Sequence, residues 1–255
     1  MAPFSQWTAS MSVVAIIEAS LAGRSLPRSV LLPLGDGTVL DQAVARARAV
    51  ARSVAVCTTS GSADDAVAIH CAERGIPCVR GPEVDWFRTV RRALDSRRLA
   101  DSQWFFHVPA TSPLFSLRLA RALLQRGDAL EAEGRRVHLV TADESQMVAG
   151  GSVRLVRRSS FEAIDQTSLS PADKHAIALP LLRAPFQCAV VEAPAALRHP
   201  SLRLTLETPA DYAVLSALFG LHERPTAEAV IPTLLGNPDL AGLNNGASSS
   251  RRPRL

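Results

Sequence analysis

Lysine is almost missing from this sequence: Lys174 stands alone among 28 basic residues, so nearly every positive charge is an arginine guanidinium. A phosphate anchored by a lysine ammonium elsewhere in the chain is thereby excluded, and arginine, a planar fork, does not substitute for that point charge one for one. Aromatic residues are only 5% of the chain, Tyr212 is the single tyrosine, and no basic-aromatic interleaving of the kind that stacks bases occurs. Nucleic-acid binding is not expected. No apolar run approaches the ~20 residues of a bilayer crossing, since Val13–Ile17 and Ala176–Leu182 are short and flanked by polar residues. Met1 to Met11 holds no Lys or Arg ahead of that first run, which argues against a secretory signal and leaves Met1 or Met11 as the start. The four cysteines, Cys57, Cys71, Cys78 and Cys188, form no C-x-x-C pair and no metal-finger spacing. They read as reduced thiols in a cytoplasmic protein.

What is present is ordinary globular composition: 255 residues, 47% hydrophobic, 20% charged, mean hydropathy +0.11. Such a chain buries about 70–75% of its unfolded surface. The net charge of +4 owes much to Arg251, Arg252 and Arg254 at the very end, so the body is close to neutral.

Short β-branched runs alternate with alanine-rich stretches of helical period, the pattern of βα units around a mostly parallel sheet. Strands are expected at Val13–Ile17, Ser53–Thr58, Ile76–Arg80, Trp104–Val108, Val137–Thr141, Val153–Val156 and Leu202–Leu206. Helices are expected after Asp36 or Thr38 as cap, and at Ala63–Arg74, Glu83–Ala93, Leu117–Leu124, Ser160–Gln166 and Thr226–Leu235. Ser170-Pro171-Ala172-Asp173 and Thr208-Pro209-Ala210-Asp211 share one helix-start grammar, a hydroxyl cap, proline at the first position and an acid three residues on. These elements suggest an N-terminal extension over 1–11, an α/β domain over 12–222, a helical extension over 223–244 and a disordered basic tail over 245–255, the loss of order setting in at Asn244. The Arg-Arg pairs at 91–92, 97–98, 135–136 and 157–158 read as solvated faces, and Asp85 with Arg88 as a surface ion pair or a substrate contact. His107 reads as a core or strand-end histidine, and His175 offers no acid-base set.

Ligands of open α/β sheets sit beyond the carboxyl ends of the strands. The loop after the first strand, Ile16-Ile17-Glu18-Ala19-Ser20-Leu21-Ala22-Gly23-Arg24-Ser25-Leu26-Pro27-Arg28-Ser29-Val30-Leu31, is similar to Ile-Ile-x-Ala-Arg-x-Gly-Ser-x-Arg-Leu-Pro-Gly-Lys-Val-Leu. That loop marks the cytidylyltransferases resembling spore-coat polysaccharide biosynthesis protein F, relatives of the CMP-sialic acid and CMP-KDO synthetases. The resemblance continues through Arg80-Gly81-Pro82-Glu83-Val84-Asp85-Trp86-Phe87-Arg88, Ala110-Thr111-Ser112-Pro113-Leu114, Leu204-Thr205-Leu206-Glu207-Thr208-Pro209-Ala210-Asp211, and Asn237-Pro238-Asp239-Leu240 with Asn244.

The resemblance implies a three-layer nucleotide-diphospho-sugar transferase-like (Rossmann-like) fold, with CTP or CMP and a sugar acid as ligands. It implies nucleotide binding at Ala19, Ser20, Ala22, Gly23, Arg24 and Arg28, and substrate contacts at Asp85, Arg88 and Thr111. It also implies a metal-dependent transfer whose parts are displaced here. The family's loop arginines fall on Ser20 and Ser25, its lysine on Ser29, its Pro-Gly glycine on Arg28, its metal-binding Asp on Thr111 and its later Asp-x-Glu on Ser152-Val153-Arg154. A cation at Arg154 opposes Mg²⁺. Two expectations follow: a cytidylyltransferase-like pseudoenzyme kept as nucleotide or sugar binder, homodimer or partner subunit; or an active enzyme with Arg24 and Arg28 on the phosphates and Mg²⁺ on Glu207, Asp143 or Glu144.

Overall fold

Val13–Glu18 (β1) is buried almost throughout and lies in the middle of a sheet, as its unbroken apolar text requires. The structure is a computed structural model that describes residues 13–21, 26–164, 169–174, 180–182 and 186–245. In chain order, the elements after β1 are β2 (Pro33–Leu34), β3 (Gly37–Thr38), α1 (Val39–Arg48), β4 (Val54–Thr59), α2 (Asp65–Glu73), β5 (Cys78–Gly81), α3 (Trp86–Leu94), β6 (Trp104–Pro109) and α4 (Leu117–Ala132). They continue with β7 (Leu139–Ala142), β8 (Arg154–Arg157), α5 (Arg158–Glu162), α6 (Pro171–Lys174), β9 (Cys188–Val191), α7 (Pro209–Leu221), α8 (Ala227–Gly236) and α9 (Pro238–Gly242).

Seven strands form one sheet in the order β5-β4-β1-β6-β8-β7-β9, and β2 with β3 forms a separate small hairpin. β5, β4, β1 and β6 run parallel, β8 is antiparallel to β6 and β7, and β9 is parallel to β7. The reversal places Arg154, the first residue of β8, opposite His107 near the carboxyl end of β6. α1, α2, α4, α7 and α8 cover one face, where Val13, Ala15 and Ile17 point; α3 and α5 cover the other, with Val14 and Ile16. Stacked Phe87 and Phe161, 4.7 Å between centroids, hold the second face together.

The caps follow the sequence grammar. Thr38 and Asp41 make a reciprocal capping box on α1, as do Thr208 and Asp211 on α7, while Thr226 caps α8. Asp36 is not the cap of α1; its carboxylate accepts from Gln42. α3 starts at Trp86 rather than Glu83 because Asp85 takes the cap, accepting the Arg88 backbone N–H at 2.9 Å. That cap replaces the expected Asp85–Arg88 ion pair.

Other departures have equally local causes. Leu202–Leu206 is not a strand: Arg203 makes one isolated bridge to Ala149, and the next N–H groups of the segment divide between two partners, Leu204 donating to Ala149 and Leu206 to Thr111, so no ladder forms. Gly150, with φ +79°, permits this approach, since a Cβ there would lie 2.6 Å from the Thr205 nitrogen. Asn244 is no part of a loose tail. It is 2% exposed and donates to Asp211 at 2.9 Å. Arg157 and Arg158 are no solvated pair: Arg157 lies 4.4 Å over the Trp104 ring and donates to the Val137 carbonyl, and Arg158 donates to the Leu99 carbonyl and to Glu162.

Arg28 is the one described non-glycine residue with positive φ, at +61°. The family resemblance gives this place to a glycine, and the backbone explains why. A side chain in the left-handed region costs about 1–2 kcal/mol, against the 0.5–1 kcal/mol by which glycine loosens the unfolded chain. Arg28→Gly is therefore expected to stabilise the protein by roughly 0.5–1 kcal/mol, read as a rise of about 2 °C in thermal midpoint.

Candidate functional site

The carboxyl ends of β1, β4, β5 and β6 lie on one edge of the sheet with the start of β8, and buried polar side chains, Thr58, Thr59, Asp64 and His107 among them, lie there. Asp64, 1% exposed, is the knot of the β1 and β4 ends. Its carboxylate accepts from the Leu21 N–H at 2.6 Å, the Ser20 hydroxyl at 3.3 Å, and both the N–H and the hydroxyl of Thr59. Four donors on one buried carboxylate fix the entry of the first loop. Arg80 extends the clamp, donating to the carbonyls of Thr59 and Gly61 and pairing with Asp65 at 2.6 Å.

Of the residues expected to bind nucleotide, Ala19 is buried and its N–H bonds the Cys57 carbonyl within the strand array, Ser20 leans on Asp64, and Arg28 is exposed beside the loop. Ala22, Gly23 and Arg24 lie outside the described residues, as does His175. Among the expected substrate contacts, Asp85 and Arg88 sit at the start of α3, beyond β5. Thr111 follows β6, and its carbonyl accepts the Leu206 N–H at 2.8 Å. That bond ties the loop of Thr111 to Leu206, one residue before Glu207.

The carboxylates assigned to metal are engaged otherwise. Asp143 accepts from the N–H and hydroxyl of Ser145 at 3.0 and 2.6 Å. Glu144 pairs with Arg154 at 2.8 Å. Glu207 lies 3.4 Å from Arg203, which also grips the wholly buried Asp211 at 3.2 and 3.3 Å. Burial pushes the Asp211 pKa up, but hydrogen bonds from Arg203, the Glu207 N–H and Thr208 outweigh it and hold the carboxyl below the usual range. Arg203 is correspondingly raised: burial works against its charge, and the bonds to Asp211 prevail. Among the described residues, no three His, Cys, Asp or Glu side chains are grouped to hold a metal ion. The donor set does not fit a protein-built metal site.

Sequence reading missed Asp64 and the pair formed by Glu18 and His107, whose Nε2 stands 2.8 Å from a Glu18 oxygen. Register reveals that pair: β1 and β6 are neighbours with Ile16 opposite His107, so Glu18 is one diagonal step away on the same face. Only strand order, invisible in the text, brings them together. Cys57, opposite Glu18 on β4, has its thiol pKa pushed up by burial first, then by the charges of Cys78 and Glu18. All four cysteines are free; Cys57 and Cys71 are buried, Cys78 and Cys188 half-buried. No helix among the described residues is long and apolar enough to cross a membrane.

Comparison with known proteins gives a consistent picture. No family model matches the chain. The spore coat polysaccharide biosynthesis protein SpsF of Bacillus subtilis (strain 168) is 25% identical over 241 residues, which cover 90% of this chain and 96% of that protein. The solved structure of a cytidylyltransferase from Leptospira borgpetersenii serovar Hardjo-bovis (strain JB197) superposes with a TM-score of 0.77 at 20% identity, covering 94% of this chain and all of that one. A CMP:2-keto-3-deoxy-manno-octonic acid synthetase complexed with CTP gives 0.60 at 15% identity, over 82% of this chain and 99% of the synthetase. The chain is thus similar over nine-tenths of its length to SpsF and shares its fold with a solved cytidylyltransferase.

Proposed function

We propose that this chain is a cytidylyltransferase-like protein that binds a cytidine nucleotide and a sugar acid, with its CTP-dependent transfer impaired. One observation carries the second half: the spare carboxylates of the working edge are each engaged, Glu144 by Arg154, Glu207 by Arg203, and Asp143 by its own turn. Mg²⁺ is ordinarily held by one or two carboxylates together with substrate phosphates. A guanidinium already on the carboxylate opposes that at close range, where Coulomb terms are large. The first half rests on the preserved frame. The β1 end, the Asp64 clamp and the Thr111–Leu206 junction order the edge where such a ligand would lie, and the likeness to SpsF covers 90% of the chain. Such a protein serves as a binder or as the partner subunit of an active enzyme.

Calorimetric titration with CTP and CMP, in EDTA and in Mg²⁺, tests the reading. The dissociation constant is expected to change less than threefold between the two conditions, with no pyrophosphate released over hours. Sustained pyrophosphate release that disappears in Glu207→Ala or Asp143→Ala establishes instead an enzyme with a relocated metal site.

A further inference from the structure

Glu18 and His107 carry none of the roles assigned above, although Glu18 directly precedes Ala19 and Ser20. Glu18 is the last residue of a central strand, with its side chain a quarter exposed. His107 is 5% exposed and two residues from the end of β6. The histidine Nε2 faces a Glu18 oxygen at 2.8 Å, so it carries the proton and donates; Nδ1 is buried without a hydrogen-bond partner among the described residues. A buried imidazole held at one nitrogen by one carboxylate acts as a fixed strut. It sets the Glu18 carboxylate in one orientation, with one oxygen turned to the histidine. The other oxygen has no hydrogen-bond partner among the described residues.

Charged neighbours are few. Cys57 lies opposite Glu18, and its raised thiol pKa keeps it neutral. Arg154 lies opposite His107 but is held by Glu144 at 2.8 Å. α3 and α5 contribute Trp86, Phe87 and Phe161 to this face. A negative oxygen in such a setting repels phosphate and invites a hydroxyl donor, the use to which carboxylates are put at the ribose end of dinucleotide sites.

We propose that Glu18, with His107 as its positioning residue, recognises a hydroxylated sugar ring at this edge. The inference rests on the binding function proposed above and adds a contact and its chemistry. Two rings can supply the hydroxyls, the ribose of the nucleotide or the sugar acid, and titration separates them.

The probes are CTP, 2′-deoxy-CTP, free 2-keto-3-deoxy-manno-octonic acid and inorganic tripolyphosphate, each titrated into the wild type, Glu18→Gln, Glu18→Ala and His107→Phe. Glu18→Ala is expected to weaken at least one hydroxylated ligand tenfold or more while leaving tripolyphosphate unchanged or tighter. If the ribose is the ring, 2′-deoxy-CTP binds weakly to the wild type and is insensitive to the substitution; if the sugar acid is the ring, only its binding falls. His107→Phe should produce a smaller loss with the same ligand preference, a pattern that general loosening does not give. Retained tripolyphosphate binding serves as the control for folding. Equal binding of every probe by wild type and Glu18→Ala overturns the assignment, as does loss of Mn²⁺ binding, which would make Glu18 a metal carboxylate. If no probe binds the wild type, the binding function itself fails, an outcome distinct from binding without Glu18.

Discussion

Asp211→Ala is expected to destabilise the protein by about 3–5 kcal/mol, the range found when one member of a buried ion pair is removed. Asp211 is fully buried, and Arg203 beside it is 6% exposed. Deleting the carboxylate strands that guanidinium and leaves Asn244, Thr208 and the Glu207 N–H without their acceptor. Since whole domains are stable by only about 5–15 kcal/mol, the loss should be obvious in urea unfolding. Asp211→Ala combined with Arg203→Met should recover part of it, because the uncompensated charge goes with the second change. The pH dependence has a definite sign. Asp211 has its pKa lowered in the folded state, so its contribution is present above the ordinary carboxylate pKa of about 3.9 and is lost as pH falls through the folded value. Wild-type stability should therefore drop below about pH 4 more steeply than that of the double variant.

The same cluster shows where sequence reading stops. Thr208-Pro209-Ala210-Asp211 announces a capping box, and the box is there. That Asp211 also anchors Arg203, 8 residues before it, and Asn244, 33 residues after it, depends on both segments folding onto the helix start. Local grammar carries caps and strand cores because their causes lie within a few residues, as at Thr38, Thr208 and Val13–Glu18. Register is different. The pairing of Glu18 with His107 spans 89 residues. Its cause is strand order. β9 escapes periodicity for another reason: four residues, none fully buried, carry no alternation to read. Asp64 looks from sequence like any acid near a helix start, yet the first loop hangs from it.

Thr111 and Arg154 decide the expected activity. Removing one charge-stabilising donor typically lowers a transfer rate by about 10²–10³, and the resemblance implies that loop cations and metal carboxylates are displaced together here. Such losses are not additive, so the unaltered chain should turn over CTP at least about 10²-fold more slowly than a variant in which the pattern is restored. The structure orders the restoration. The Thr111 carbonyl accepts the Leu206 N–H at 2.8 Å, one residue before Glu207, so Thr111→Asp is the first change to make. That single change should create a Mn²⁺ site detectable by calorimetry, provided Arg203 releases Glu207 from its 3.4 Å contact toward its stronger partner, Asp211. Ser152→Asp with Arg154→Glu then removes the cation that opposes a metal, and Ser20→Arg with Ser29→Lys returns two phosphate anchors. Pyrophosphate release, assayed with CTP and a sugar acid, should rise with the full set and stay low with Thr111→Asp alone. Release by the unaltered chain at the restored variant's rate sinks the impaired reading. Absence of Mn²⁺ binding in Thr111→Asp would show that Arg203 keeps Glu207, making the Arg203 cluster a structural joint that excludes metal.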